Sequence, residues 1–162
     1  MKTTFLKNRF FTSMAAVAIA GTVLLSACDK DDDDDMPSKN SYTVSGDANG
    51  AQEVPAVSTT ATGTLSGTYD KKTKQLNYTI NWTGLSGDIT VAHFHGPAAA
   101  GESAGPLQDI AITTNGVTGN TSGSVTASDA LHNALLDGKV YYNLHTAANP
   151  DGEIRGQVVL EQ

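Results

Sequence analysis

The chain has 162 residues, a formal net charge of −7 and a single cysteine. One cysteine excludes an intrachain disulfide, so the folded part must stand on its apolar core. From Ser41 onward 11 acidic residues face 5 basic ones, with Arg155 the only arginine among them, a balance that excludes nucleic acid and anionic headgroups as partners.

Residues 1–27 read as an export signal. Lys2, Lys7 and Arg9 form a basic start without acids, and Met14 to Leu25 is an apolar stretch too short for a permanent membrane span. Leu25-Ser26-Ala27-Cys28 resembles the lipobox of bacterial lipoproteins. That resemblance implies cleavage before Cys28 and attachment of palmitate-type acyl chains to it, so the membrane becomes a partner through lipid. The alternatives are an ordinary secretory signal or a short membrane anchor. Lipidation also accounts for an odd cysteine in an exported chain.

Residues 28–40 are expected to form a tether. The run Asp31 to Asp35 repels itself and lacks apolar side chains, which favours an extended, solvated chain. An acidic stretch with Lys30 so close to the lipidated cysteine also resembles the surface-export signal of some outer-membrane lipoproteins. The implied location is the bacterial envelope, on the outer membrane and exposed at the cell surface. The run lacks the glycine and closing glutamate of an EF-hand loop, so calcium binding is not expected there.

Residues 41–162 form one domain and switch to period two. Strands are expected over Ser41 to Gly46, Thr60 to Tyr69, Leu76 to Trp82, Ile89 to His95, Leu107 to Ile112, Thr118 to Thr126, Lys139 to Thr146 and Glu153 to Leu160. Leu76, Tyr78, Ile80 and Trp82 make one apolar face, which places Trp82 in the core. Asp70 to Lys74 is a polar hairpin connection. Asn115-Gly116 and Pro150-Asp151-Gly152 mark further turns. One short helix interrupts the series from Asp129 to Asp137, capped by Ser128 and stopped by Gly138, with Leu131 and Leu135 on one face and His132 exposed. About eight strands with one helix imply an all-β fold, an antiparallel Greek-key-like β-sandwich or flattened barrel.

In the last hairpin, matching apolar faces pairs Leu144 with Gly156 and Tyr142 with Val158. His145 then lies opposite Arg155, with Glu153 diagonal, and Asn143, His145, Glu153, Arg155 and Gln157 share a polar face.

Five segments carry a family resemblance: GAQEVPAV (Gly50 to Val57), ATGTLSGTYD (Ala61 to Asp70), LNYTINWTGLSG (Leu76 to Gly87), AHFHGPA (Ala92 to Ala98) and LHTAANPDGEIRGQV (Leu144 to Val158). Together they resemble the chordin-type (CHRD) domain, in that family's order. The resemblance implies an extracellular all-β domain without a defined biochemical activity. Animal chordins bind growth factors through cysteine-rich modules, and this chain has none. The expected role is a non-catalytic binding or structural module with an envelope ligand as partner and no cofactor. Gly96 to Gly105 and Ala147 to Gly152 would be its recognition loops.

Three of the four histidines define the candidate site. His93 and His95 are two apart on a strand and leave the same face. His145 on another strand offers a third imidazole, with Glu53 or Glu153 as a carboxylate and Arg155 and Asn149 in support. The alternative to a structural role is therefore a copper or zinc centre, with a redox-active form among its readings, at His93, His95 and His145. In the structural reading Ile89 and Val91 carry His93 and His95 to the core edge, where they bond the Gly-Pro-rich loop or Asn149, while His145 packs on Arg155 and Glu153. The His-x-His strand is similar to that of copper-zinc superoxide dismutases, but those enzymes need more histidines than this chain has. No Gly-x-Ser-x-Gly elbow, phosphate loop or dinucleotide fingerprint occurs, and no spacing favours a carboxylate pair, so an enzyme is not expected.

Overall fold

A computed structural model describes residues 40–162. The export signal, Cys28 and the tether up to residue 39 lie outside the described residues. Alternating side chains build nine strands there: β1 (Ser41–Asn49), β2 (Thr62–Asp70), β3 (Gln75–Thr83), β4 (Ile89–His95), β5 (Pro106–Asp109), β6 (Gly119–Thr126), β7 (Tyr141–Thr146), β8 (Ile154–Gln157) and β9 (Val159–Glu161). All pair antiparallel in the order β5-β4-β7-β8-β1-β2-β3-β6, with β9 also on β1.

The sheet curls onto its own apolar face. Four strands lie between β4 and β3 in that order, yet Tyr78 and Phe94 meet edge to face with centroids 5.3 Å apart. Leu76, Tyr78, Ile80 and Trp82 are at most 4 % exposed, as their alternation requires, and they pack with Leu65, Phe94, Tyr142, Leu144 and Ile154. Buried Trp82 donates its indole N–H to the Gly116 carbonyl at 2.9 Å. At the open seam Thr121 Oγ1 donates to Ala111 O at 2.6 Å and accepts from Thr113 N at 3.2 Å, tying the segment after β5 to β6. This is the flattened-barrel form of the expected all-β fold.

The helix α1 (Asp129–Leu136) forms where its caps predict. Ser128 Oγ accepts from Leu131 N at 3.3 Å, Leu131 and Leu135 are buried, and Gly138 leaves with φ 66°. His132 is not exposed: it is half-buried, and its Nδ1 meets the hydroxyl of fully buried Tyr69.

Three expectations about the strands are corrected. The last segment is two strands, because after Gln157 the chain leaves β7 and continues along β1, pairing Val44 with Leu160. The crossing is close: a Cβ on Gly46 would lie 2.6 Å from Gln157 O, and one on Gly156 would lie 2.7 Å from Asp47 O. Next, β7 and β8 are slid by two residues from the expected register, pairing Tyr142 with Gly156, Asn143 with Arg155 and Leu144 with Ile154. A two-residue slide preserves the face, so Asn143, His145, Arg155 and Gln157 still point the same way. Finally, a bulge between Ile89 and Val91 breaks the phase of β4. Ile89 turns into the core at 4 % exposure, whereas Val91 is 46 % exposed. Ala92 and Phe94 take the core positions, and His93 and His95 point to the other face, away from it.

Candidate metal centre

The bulge in β4 brings the three histidines together. Val91 pairs with His145, His93 with Asn143 and His95 with Tyr141, so one face of adjacent strands carries His93, His95, Tyr141, Asn143 and His145. Each histidine offers one nitrogen, and these atoms lie within 4.8 Å of one another. His93 Nδ1 and His145 Nε2 are 3.3 Å apart. Imidazole nitrogens on a tetrahedral zinc ion stand about 3.4 Å apart, so this pair already has that spacing and the third ring closes by about 1.4 Å.

Proton placement decides what the cluster can do. His95 Nδ1 donates to Ala104 O at 2.9 Å, and His145 Nδ1 donates to Pro150 O at 2.8 Å. His93 Nε2 faces the Asp109 carboxylate at 3.7 Å. A neutral imidazole carries one proton, so each ring that spends it outward turns a lone pair inward. His95 Nε2 is buried without a hydrogen-bond partner. Burial pushes His95 and His145 below the ordinary histidine range, and the neighbouring His93 lowers both further. Outer carbonyls that fix the tautomer and an inward lone pair are the arrangement of metal-ligating histidines.

The flanking groups complete the shell. His145 Nε2 also lies 2.9 Å from the Asn143 side-chain amide. The Asn143 Oδ1 makes that contact, while the amide of the same side chain donates toward the Glu53 carboxyl. Tyr141, which the alternation of β7 could have singled out beside Asn143 and His145, stacks flat on His95 with centroids 4.8 Å apart and planes 7° apart. Its hydroxyl donates to Ala104 O at 3.0 Å, the same carbonyl that orients His95. The Arg155 guanidinium carbon lies 3.5 Å from the centroid of the Tyr141 ring.

The expected supporting residues divide. Arg155 is 2 % exposed, stacks behind Tyr141 and donates to Ala99 O at 3.3 Å. Glu53 lies near Arg155 and next to Asn143, and burial pushes its carboxyl up to about 7 against the lowering influence of Arg155 and Asn143. Glu53 is not among the ligating side chains, and neither is Glu153. Glu153 does not share the polar face with His145. It precedes β8 in a bend and accepts from Thr59 Oγ1, Ser86 N, Ser86 Oγ and Thr146 Oγ1. Those four bonds outweigh the upward push of burial and hold its carboxyl below the usual range. Asn149 joins that second network: its Nδ2 lies 3.4 Å from Ser86 Oγ, and it bonds neither His93 nor His95.

No curated protein and no solved structure matches the chain. A family model does: the CHRD domain, over residues 44–158, which takes in the cluster and both loops that orient it. With that match spanning most of its length, the chain belongs to the CHRD domain family.

Proposed function

We propose that this CHRD domain is an envelope binding module that holds a copper or zinc ion through His93, His95 and His145, tethered by lipid on Cys28. Membership in the family supports a binding or structural module. The observation that carries the metal reading is the buried, partnerless Nε2 of His95, gathered with a ring nitrogen of His93 and one of His145 within 4.8 Å. An unsatisfied buried polar atom costs on the order of 1–3 kcal/mol, and a cation between the rings removes that cost.

His95 and His145 would present Nε2 and His93 would present Nδ1. Ala104 O, Pro150 O and Asp109 would hold the rings, so the two loops expected to recognise a ligand act through their backbone carbonyls. Three protein ligands leave a bound ion an open position for an outside donor. A cavity of about 270 Å³ borders His93, lined by Thr90, Val91, Asp109 and Ile112. No helix among the described residues is long and apolar enough to cross a membrane. The tether through Cys28 rests on the lipobox alone.

Metal analysis and calorimetric titration of the full-length chain with Cu²⁺ and Zn²⁺ test the reading. One ion per chain is expected, lost in His95→Ala and in His145→Ala. Absence of stoichiometric metal, together with unchanged stability in His93→Ala, would refute it.

A further inference from the structure

The charge around the cluster selects among ions, an inference that rests on the metal reading above. All three ligands are neutral imidazoles, and no carboxylate or thiolate joins them among the described residues. A bound ion therefore keeps its full charge. Imidazole donors suit copper and zinc alike, so ligand type does not decide between them.

The surroundings do. Arg155 is 2 % exposed, and its polar contact is to a carbonyl rather than an acid. Among the described residues the ion pairs are Lys74–Asp129 and His93–Asp109, so no carboxylate is in salt-bridge contact with Arg155. Strand order puts His95 on one side of Tyr141 and Arg155 on the other. The two stacking distances hold the guanidinium carbon within about 8 Å of the His95 ring, and an ion on the far nitrogen would sit roughly 9–10 Å from it. Asp109, 3.7 Å from His93 Nε2, has a side chain 90 % exposed, and Asp151, whose charge reaches His145, is exposed as well, so water screens both. Glu53 offsets Arg155 where it is ionised; burial keeps it protonated below about pH 7, and there the guanidinium charge stands without it.

We infer that the His93/His95/His145 site is built for a monovalent ion, copper(I), and discriminates against divalent zinc through the buried positive charge of Arg155. Each unit of ion charge meets the same repulsion, so a divalent ion pays it twice. At an effective dielectric of 20–40 and this separation, the extra unit of charge weakens binding roughly 5- to 20-fold. Three imidazoles also satisfy copper(I) without a fourth donor, whereas zinc completes its shell from outside.

The test is a pair of competition titrations on the full-length chain at pH 6, where Glu53 is protonated. One is anaerobic with Cu(I) against bicinchoninate; the other uses Zn²⁺ against a chromogenic zinc chelator. Arg155→Gln is expected to lower the ratio of Cu(I) to Zn²⁺ affinity by roughly 5- to 20-fold. Arg155→Lys, which keeps the charge, should hold the ratio near the unmodified value. Glu53→Gln, which removes the carboxylate that forms above about pH 7 without changing shape, should raise it at pH 8. Zinc bound as tightly as Cu(I) by the unmodified chain, or an unchanged ratio in Arg155→Gln, overturns the inference. If Arg155→Gln does not fold, Glu53→Gln decides, and an unmoved ratio there overturns it too. Binding of neither ion defeats the metal reading itself, an outcome distinct from tight but indiscriminate binding.

Discussion

Glu53 makes a measurable prediction about stability. It follows a short 3-10 helix (Gly50–Gln52), is 8 % exposed, and its Oε1 is buried without a hydrogen-bond partner. Burial moves its carboxyl from 4.5 to about 7 despite the nearby Arg155. Between those values the folded chain binds the proton and the unfolded chain does not. The stability this proton contributes is full below pH 4.5 and is lost as pH rises to about 7. The loss is about 3 kcal/mol at pH 8. Glutamine cannot ionise, so Glu53→Gln should raise the unfolding free energy by about 2–3 kcal/mol at pH 8 and change it by less than about 0.5 kcal/mol near pH 4.5. For a domain of about 120 residues the gain corresponds to roughly 8–12 °C in Tm. Urea unfolding followed by the fluorescence of Trp82, the only tryptophan, reads it directly. His95 and His145 act with the opposite sign. Held neutral by burial, they contribute stability above pH 6.5 that falls as the solution is acidified below it. Both are present in wild type and variant and cancel in the difference. A difference that stays flat from pH 4.5 to 8 would refute the buried-carboxyl account.

Three further outcomes are expected. Gly152→Ala should cost about 2–4 kcal/mol, because φ is +125° and a Cβ would sit 2.3 Å from Glu53 Oε1 and 2.7 Å from Asn143 Nδ2; a thermal melt within 1 °C of wild type would contradict the close packing. Glu153→Ala should cost about 3–5 kcal/mol by stranding the groups that converge on it from three segments, while metal stoichiometry in the folded fraction stays the same; weaker metal binding would mean that Glu153 reaches the cluster after all. Cys28→Ser should move the protein from the membrane to the soluble fraction and abolish incorporation of radiolabelled palmitate, and labelling that persists would rule out acylation at this residue.

Much of the fold was legible locally. Alternation in Leu76 to Trp82 located a strand and its buried face, Ser128 and Gly138 bounded the helix, and β4 begins and ends where its composition implies. The CHRD segments identified the family that the domain match shows. The site was legible as a list of residues, not as an arrangement. The histidines of β4 were expected on the core side because strict period two ties them to Ile89. One bulge between Ile89 and Val91 reverses that, and no residue type in the stretch announces it. Glu153 was placed beside His145 by the same alternation, but it precedes the strand, and hydroxyls from distant segments capture it.

The sequence by itself determined which side chains alternate, where the helix stops, that no disulfide supports the domain, and which four residues can offer an imidazole. Those are local properties of backbone geometry and chemistry. Only the tertiary structure decided that three of those imidazoles meet, which nitrogen of each faces inward, and that a buried arginine stands behind one of them. These depend on a bulge, on a two-residue slide in register and on loops returning to donate carbonyls, all set by long-range packing of the curled sheet.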